Sequence, residues 1–256
     1  MLTLVAAVSA WRIALLAMEF NSELALPEPA AARTPPAIRD PRTPRLSHRV
    51  VLVIVDGLRL DASYLPAFDA LRARGAGLAA ATHYPTWSRP GYITLLTGVP
   101  PEASGVRVNL VPRPIRLDSI MKRVTAAGMR VTTASDIGMV PPLFINEDVN
   151  QLSSLEHPKT RDLVTPTSGL TWPFDEVRKA DTMQELEKSI EAVLAKPSDL
   201  VIVLAGDVDR AGHSRGGASA LYREAAVTFD GALGRLVPKL DLTRHTLIVT
   251  ADHGHV

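Results

Sequence analysis

The chain has 256 residues, 46% of them apolar and 21% charged, which is enough for one large α/β domain or two small ones with a real core and excludes a disordered chain, a collagen-like fibre and a coiled coil. Lys and Arg number 28 against 27 Asp and Glu, a net charge of +1, so no bulk charge points to nucleic acid or to a strongly acidic partner. The sequence has no cysteine, which excludes disulfides, thiolate metal sites and a cysteine nucleophile; a metal must be held by His and carboxylate, and a covalent nucleophile sought among Ser, Thr, Asp and Lys.

Residues 1–20 form an apolar N-terminal segment, LTLVAAVSAWRIALLAM over 2–18, broken only by Arg12. A spanning helix needs about 20 such residues, and a central Arg costs about 2.5–3.5 kcal/mol, so the segment reads either as a membrane helix or as a helix lying on a surface. No basic stretch precedes it, unlike a standard signal peptide. Residues 21–48 carry Pro27, Pro29, Pro35, Pro36, Pro41 and Pro44 and read as a stiff, extended linker. Arg33, Arg39, Arg42, Arg45 and Arg49 face only Asp40 nearby, a basic bias that under the positive-inside rule would keep the following domain in the cytoplasm; the bland and preferred reading is a solvated linker.

From Arg49 to Val256 the pattern becomes one of strands alternating with helices, a single α/β domain with a mostly parallel central sheet sandwiched by helices. RVVLVIV (49–55) predicts a buried parallel strand. Asp61–Arg74 predicts a helix with Leu65, Phe68 and Leu71 on one face and Gly75 as its stop. GLAAATHYPT (77–86) predicts a strand running into a loop, and Pro90 opens a helix that ends at Gly98. A helix over 117–127 and a strand over 129–135 come next, then a proline-rich, irregular region over 136–180. A helix over 181–195 turns Met183, Leu186, Ile190, Val193 and Leu194 inward; a buried strand (199–206), a helix (218–237) and a last strand (245–250) complete the order.

Three of these strands end in acidic residues: Asp56, then Asp207 and Asp209, then Asp252 followed by His253. Ligands of open α/β sheets gather beyond the carboxyl ends of strands, so these groups can converge. One such Asp is ordinarily a turn or cap residue; three, one with an adjacent His, are hard to explain that way. Asp209 and His213 stand four apart, a spacing that lets one helical turn present both to one metal, and Gly212, Gly216 and Gly217 permit close backbone approach. Ser88 sits at the start of the Pro90 helix, where the positive end of the helix dipole favours an alkoxide and a bound phosphate; as a bland alternative it is the N-cap. Thr86 is the alternative nucleophile, since it follows Pro85.

VDGLR, PTWSRP, TGVPPEASGVRVN, DRAGH and ADHG, in this order over residues 49–256, resemble the alkaline phosphatase superfamily, in particular type I phosphodiesterases/nucleotide pyrophosphatases, with a further likeness to glycosylphosphatidylinositol ethanolamine-phosphate transferases through SRPG. The resemblance implies a metal-dependent phosphoester hydrolase acting through a phospho-Ser88 intermediate at two zinc ions. It implies Asp56, Ser88, Asp252 and His253 as ligands of one ion, Asp209 and His213 as two of the three protein ligands of the other, and Asn109 as a hydrogen-bond donor to the phosphate. Tyr84, Trp87, Arg89 and residues 136–180 are expected to line the pocket for a small-molecule or lipid-head-group phosphoester, with diesters preferred. The family's last His ligand comes well after Asp-His-Gly; here His255 is expected on a surface loop, leaving the second site one ligand short and the domain incomplete at its C-terminus, with impaired activity. The apolar segment and the transferase likeness imply membrane association on the extracytoplasmic side, against the basic linker.

Rival readings are a phosphatase or phosphoethanolamine transferase of the same fold, a sulfatase, a phosphoglycerate mutase and an inactive domain. A sulfatase requires Arg where Tyr92 stands, and the apolar segment and linker fit poorly with a soluble mutase. An inactive domain is distinguished by binding less than one tight zinc per chain.

Overall fold

The unbroken β-branched run forms strand β1 (Arg49–Val55) in the computed structural model, which describes residues 2–24, 45–109, 117–137, 176–179 and 182–255. β1 pairs in parallel with β4 (Leu200–Ala205) on one side and β5 (His245–Thr250) on the other, so that Val53 lies opposite both Val203 and Val249. β2 (Val131–Ser135) pairs with β4, and β3 (Glu176–Lys179) with β2. The described sheet has five parallel strands in the order β3-β2-β4-β1-β5.

Helices cover both faces, which is why the central strands read as continuous apolar runs rather than alternating ones. Val51, Val53, Val55, Val201, Val203 and Ala205 pack on one face against α6 (Met183–Leu194), α7 (Asp207–Arg215), α8 (Ala220–Leu236) and Phe68 of α2 (Pro66–Arg74). Ile54, Leu200, Ile202 and Leu204 point the other way, onto Tyr92, Ile93 and Leu96 of α3 (Ser88–Thr97) and Met121 of α5 (Ile120–Ala126). Val106 and Val108, just past the single turn α4 (Pro101–Ser104), fill the same core. β1, β2 and β4 thus feed both cores through their period of two.

Helix starts follow local chemistry: Ser119, Thr182 and Ser219 each accept the N–H of the residue three ahead, capping α5, α6 and α8. The helix expected over Asp61–Arg74 is split, because Pro66 has no N–H and holds Leu65 extended at φ −134, ψ 158; a 3-10 turn covers Asp61–Ser63 and α2 begins only at Pro66. The strand expected over 77–86 is absent. That segment offers little but alanine to bury, Leu78 is 89% exposed, and the chain is instead pinned where Thr82 Oγ1 donates to the Asp252 carbonyl, 2.8 Å. Strand β3 lies in the region expected to be irregular, most of which, like most of the proline-rich linker, falls outside the described residues. The apolar segment is one helix, α1 (Leu2–Leu24), and its Thr3–Phe20 stretch is long and apolar enough to cross a membrane.

Asp136, just past β2, ties the carboxyl edge together. Its buried carboxylate accepts from the Gly206 N–H at 2.7 Å and from Arg210 at 2.6 Å, and Arg210 also reaches Asp207 at 2.6 Å. Burial pushes the Asp136 carboxyl above its ordinary range, and Arg210 pulls it part of the way back. A folded value above the unfolded one means that this group's contribution falls as pH rises through the interval between them. Arg210→Ala is expected to cost about 1–3 kcal/mol at about pH 7 and less at about pH 4, because the raised carboxyl takes up its proton as the pH falls and the pair loses its charge. Urea denaturation at both values checks this; equal losses would rule out the pairing as the cause.

Candidate metal centre

Because β4, β1 and β5 are adjacent and parallel, their carboxyl ends open at one place. Asp56 follows β1 directly, Asp209 lies in the first turn of α7 after β4, and Asp252, His253 and His255 follow β5. Gly57, at φ +69, turns the chain sharply after Asp56, and its N–H donates to Asp252 Oδ1 at 3.1 Å. A Cβ at Gly57 would lie 2.9 Å from Asp209 Oδ1, and one at Gly91 2.9 Å from the Asp252 carbonyl oxygen, so both glycines let acidic residues close in.

Two clusters result. In the first, Ser88 Oγ lies 3.2 Å from Asp56 Oδ1 and 3.1 Å from His253 Nε2. His253 Nε2 is in turn 3.3 Å from Asp56 Oδ1 and 3.4 Å from Asp252 Oδ2. The His253 Nδ1–H donates to the Gly254 carbonyl at 2.7 Å, which turns Nε2 toward the acids, and the buried Tyr92 hydroxyl donates to Asp56 Oδ2 at 3.0 Å. In the second cluster, Asp209 Oδ2 is 3.3 Å from His213 Nε2 and Asp209 Oδ1 is 3.3 Å from His255 Nε2.

These residues fit a divalent cation. Donors about 2.0–2.1 Å from a tetrahedral zinc stand about 3.3–3.4 Å from one another, and the separations in the first cluster run from 3.1 to 3.4 Å. Asp252 Oδ2 and Asp209 Oδ1 are buried and make no hydrogen bond, which is unusual for carboxylate oxygens out of water. Burial and the neighbouring Asp56 push both the Asp252 and the Asp209 carboxyls above their ordinary range. Burial draws the His253 imidazole down, but its hydrogen bond to Asp56 and the charge of Asp252 outweigh that and hold it at about 9. Besides burial, Asp56 thus raises both Asp209 and Asp252 by charge repulsion, and a bound dication would offset that repulsion.

Asp56, Ser88, Asp252 and His253 therefore come together, as do Asp209 and His213. Asp207 does not join them; it pairs with Arg210. His255 corrects the expectation of a surface loop residue: its side chain is only 14% exposed and faces Asp209. The cause is that the chain after Gly254 folds back over α7, passing against Gly212 and Gly217. Arg89 is buried, and rather than facing an open pocket it donates from its guanidinium to the Asn109 carbonyl, 3.1 Å, and from its N–H to Asn109 Oδ1, 3.0 Å. Trp87 is 43% exposed beside Ser88, and Tyr84 is 88% exposed. Tyr92 was not legible as a site residue, although it stands one helical turn after Ser88 and so shares its face.

The profile of the metalloenzyme superfamily matches residues 116–256, and that of type I phosphodiesterase / nucleotide pyrophosphatase matches residues 50–114. GPI ethanolamine phosphate transferase 1 of Yarrowia lipolytica is 24% identical over 232 residues, covering 80% of this chain and 24% of the relative. The chain spans about a quarter of the length of the curated relatives it matches. Among solved structures, an inactive murine ectonucleotide pyrophosphatase / phosphodiesterase 5 in complex with AMP superposes with a TM-score of 0.59 at 20% identity, over 81% of this chain and 57% of that one. The C-terminal periplasmic domain of EcEptC from Escherichia coli, in complex with Zn, does so with a TM-score of 0.54 at 14% identity, over 87% and 68%. A parallel sheet between helices, with His and carboxylate clusters beyond its carboxyl edge, agrees with these matches: the chain belongs to the metalloenzyme superfamily and has an alkaline-phosphatase-like fold.

Proposed function

We infer that this chain is the catalytic core of a phosphoester-cleaving enzyme that works at two zinc ions through a covalent phosphoserine on Ser88. The observation that carries the reading is the Ser88 hydroxyl, which begins α3 and touches both Asp56 and His253. Asp56, Ser88, Asp252 and His253 would hold one ion, and Asp209 with His213 the other. Zinc bound there would favour the alkoxide form of the serine and would neutralise charge on the phosphoryl oxygens.

Ser88 Oγ bonds to phosphorus as the bond to the leaving alcohol breaks in line. The serine gives up its proton to solvent, and the leaving oxygen takes one from it. Water then attacks the phosphoserine and restores the hydroxyl. The N–H of Arg89 is occupied by Asn109 Oδ1 and Pro90 has none, so the start of α3 offers few backbone donors of its own. With its carbonyl pinned, Asn109 turns its NH₂ group into the donor for a non-bridging oxygen, and Arg89 serves by holding Asn109. A neutral amide suits a singly charged diester better than a dianionic monoester, and Trp87 offers its ring to the leaving group.

Transfer to an alcohol in place of water is the second reading, favoured by the likeness to the ethanolamine phosphate transferase and by α1, whose length and composition suit a membrane-associated enzyme acting on lipid-head-group phosphoesters on the extracytoplasmic side. The chain stripped with a chelator is expected to lose hydrolysis of bis-p-nitrophenyl phosphate and to regain it with zinc, at two ions per chain. Turnover indifferent to metal removal removes the reading. A kcat/KM for p-nitrophenyl phosphate above that for the diester reverses the substrate preference. Formation of an alkyl phosphate ester when an alcohol is added identifies transfer.

A further inference from the structure

The geometry points to His255 as the third protein ligand of the metal held by Asp209 and His213, seated in a cradle formed by Gly212 and Gly217; this assignment rests on the two-metal reading and adds a residue to it. His255 Nε2 stands 3.3 Å from Asp209 Oδ1, and His213 Nε2 stands 3.3 Å from Asp209 Oδ2. An imidazolium paired with a carboxylate closes to about 2.7–2.9 Å, whereas two donors on one tetrahedral zinc stay about 3.3 Å apart. Asp209 Oδ1 is buried without a hydrogen bond, as expected of an oxygen whose partner is a cation between the side chains. The two imidazoles meet edge to face, ring centroids 4.9 Å apart at 87°, so both nitrogens converge without the rings colliding.

The cradle explains a glycine that the helix itself does not want. Gly212 lies inside α7, where glycine costs about 1 kcal/mol relative to alanine. A Cβ there would lie 2.4 Å from His255 Cδ2 and 2.7 Å from its Nε2, and one on Gly217 would lie 2.8 Å from the His255 carbonyl oxygen. Tyr222 flanks the ring at 6.2 Å between centroids and donates its hydroxyl to the Gly57 carbonyl at 2.7 Å, tying the cradle to the turn between the two clusters.

Zinc titration, and cobalt(II) titration read by its d–d absorption, test this in the 256-residue chain alongside His255→Ala, His255→Gln, Gly212→Ala and His213→Ala. The wild-type chain is expected to bind two ions. Each variant should keep one tight site and bind the second on the order of 100-fold more weakly, losing the tetrahedral cobalt absorption of that equivalent. His255 variants that bind both ions with wild-type affinity and an unchanged spectrum overturn the role of His255 and leave the two-metal reading standing. Gly212→Ala with two tight sites overturns the cradle. A folded wild-type chain that binds fewer than two ions overturns both readings.

Discussion

Ser88→Ala is expected to lower turnover of bis-p-nitrophenyl phosphate by a factor on the order of 10⁴ or more, because among the described residues no other hydroxyl occupies its place between Asp56 and His253. Stability should change little. Ser88 is the first residue of α3 rather than its cap, the position before the helix being taken by Trp87, and its side chain belongs to neither apolar core. Thr86→Ala is the matched control. Thr86 is exposed on the segment before α3, and its loss should leave the rate within a few-fold of wild type. The wild-type chain quenched during turnover should carry phosphate on the peptide containing Ser88, detectable by mass spectrometry. If Ser88→Ala keeps most of the activity while Thr86→Ala loses it, the nucleophile has been misassigned.

Gly57→Ala carries the second large effect, on metal binding and stability together. Gly57 sits at φ +69, where a side chain costs about 1–2 kcal/mol. Its Cβ would also lie 2.9 Å from Asp209 Oδ1 and 3.0 Å from the Asp209 Cα, backbone that cannot easily give way. Since the Gly57 N–H also holds Asp252 Oδ1, one added methyl group disturbs both clusters. Gly98→Ala separates strain from collision. Gly98 has nearly the same φ, +71, but nothing lies within 4 Å of its Cβ position. Both variants are expected to lose thermal stability, with Gly57→Ala the worse, and only Gly57→Ala should lose tight zinc binding. Equal metal affinity in the two would show that Asp209 is not held by the close approach at Gly57.

Much of the fold was readable where a run of residues had one structural use. RVVLVIV and LVIVLA are short, continuous apolar runs rich in β-branched residues, which favours strands covered on both faces, and β1 and β4 are such strands. Met183, Leu186, Ile190 and Val193 recur at helical spacing and are buried at that spacing in α6. The segment 77–86 misled because a short apolar stretch says nothing about whether a sheet has a place for it. β3 was hidden for the opposite reason: EVRK has little apolar content, and its strand state comes from its parallel backbone pairing with β2.

The sequence by itself determined that acidic residues and a His would stand at the ends of three strands and that Ser88 would open a helix, because strand ends and helix starts are set by local chemistry over a few residues. Only the tertiary structure decided which of these groups meet. The order β4-β1-β5 brings Asp209, Asp56 and Asp252 to one edge from positions 56, 209 and 252 of the chain. The helical face shared by Ser88 and Tyr92 matters only once Asp56 lies against it. Arg89, expected to touch substrate, turns inward because α3 is buried along that side and the Asn109 loop needs a donor. His255 moves from surface to cluster because Gly212 and Gly217 leave room for its ring and backbone. Such contacts join residues far apart in the chain through the volume that side chains do or do not occupy, and no local pattern of sequence encodes that volume.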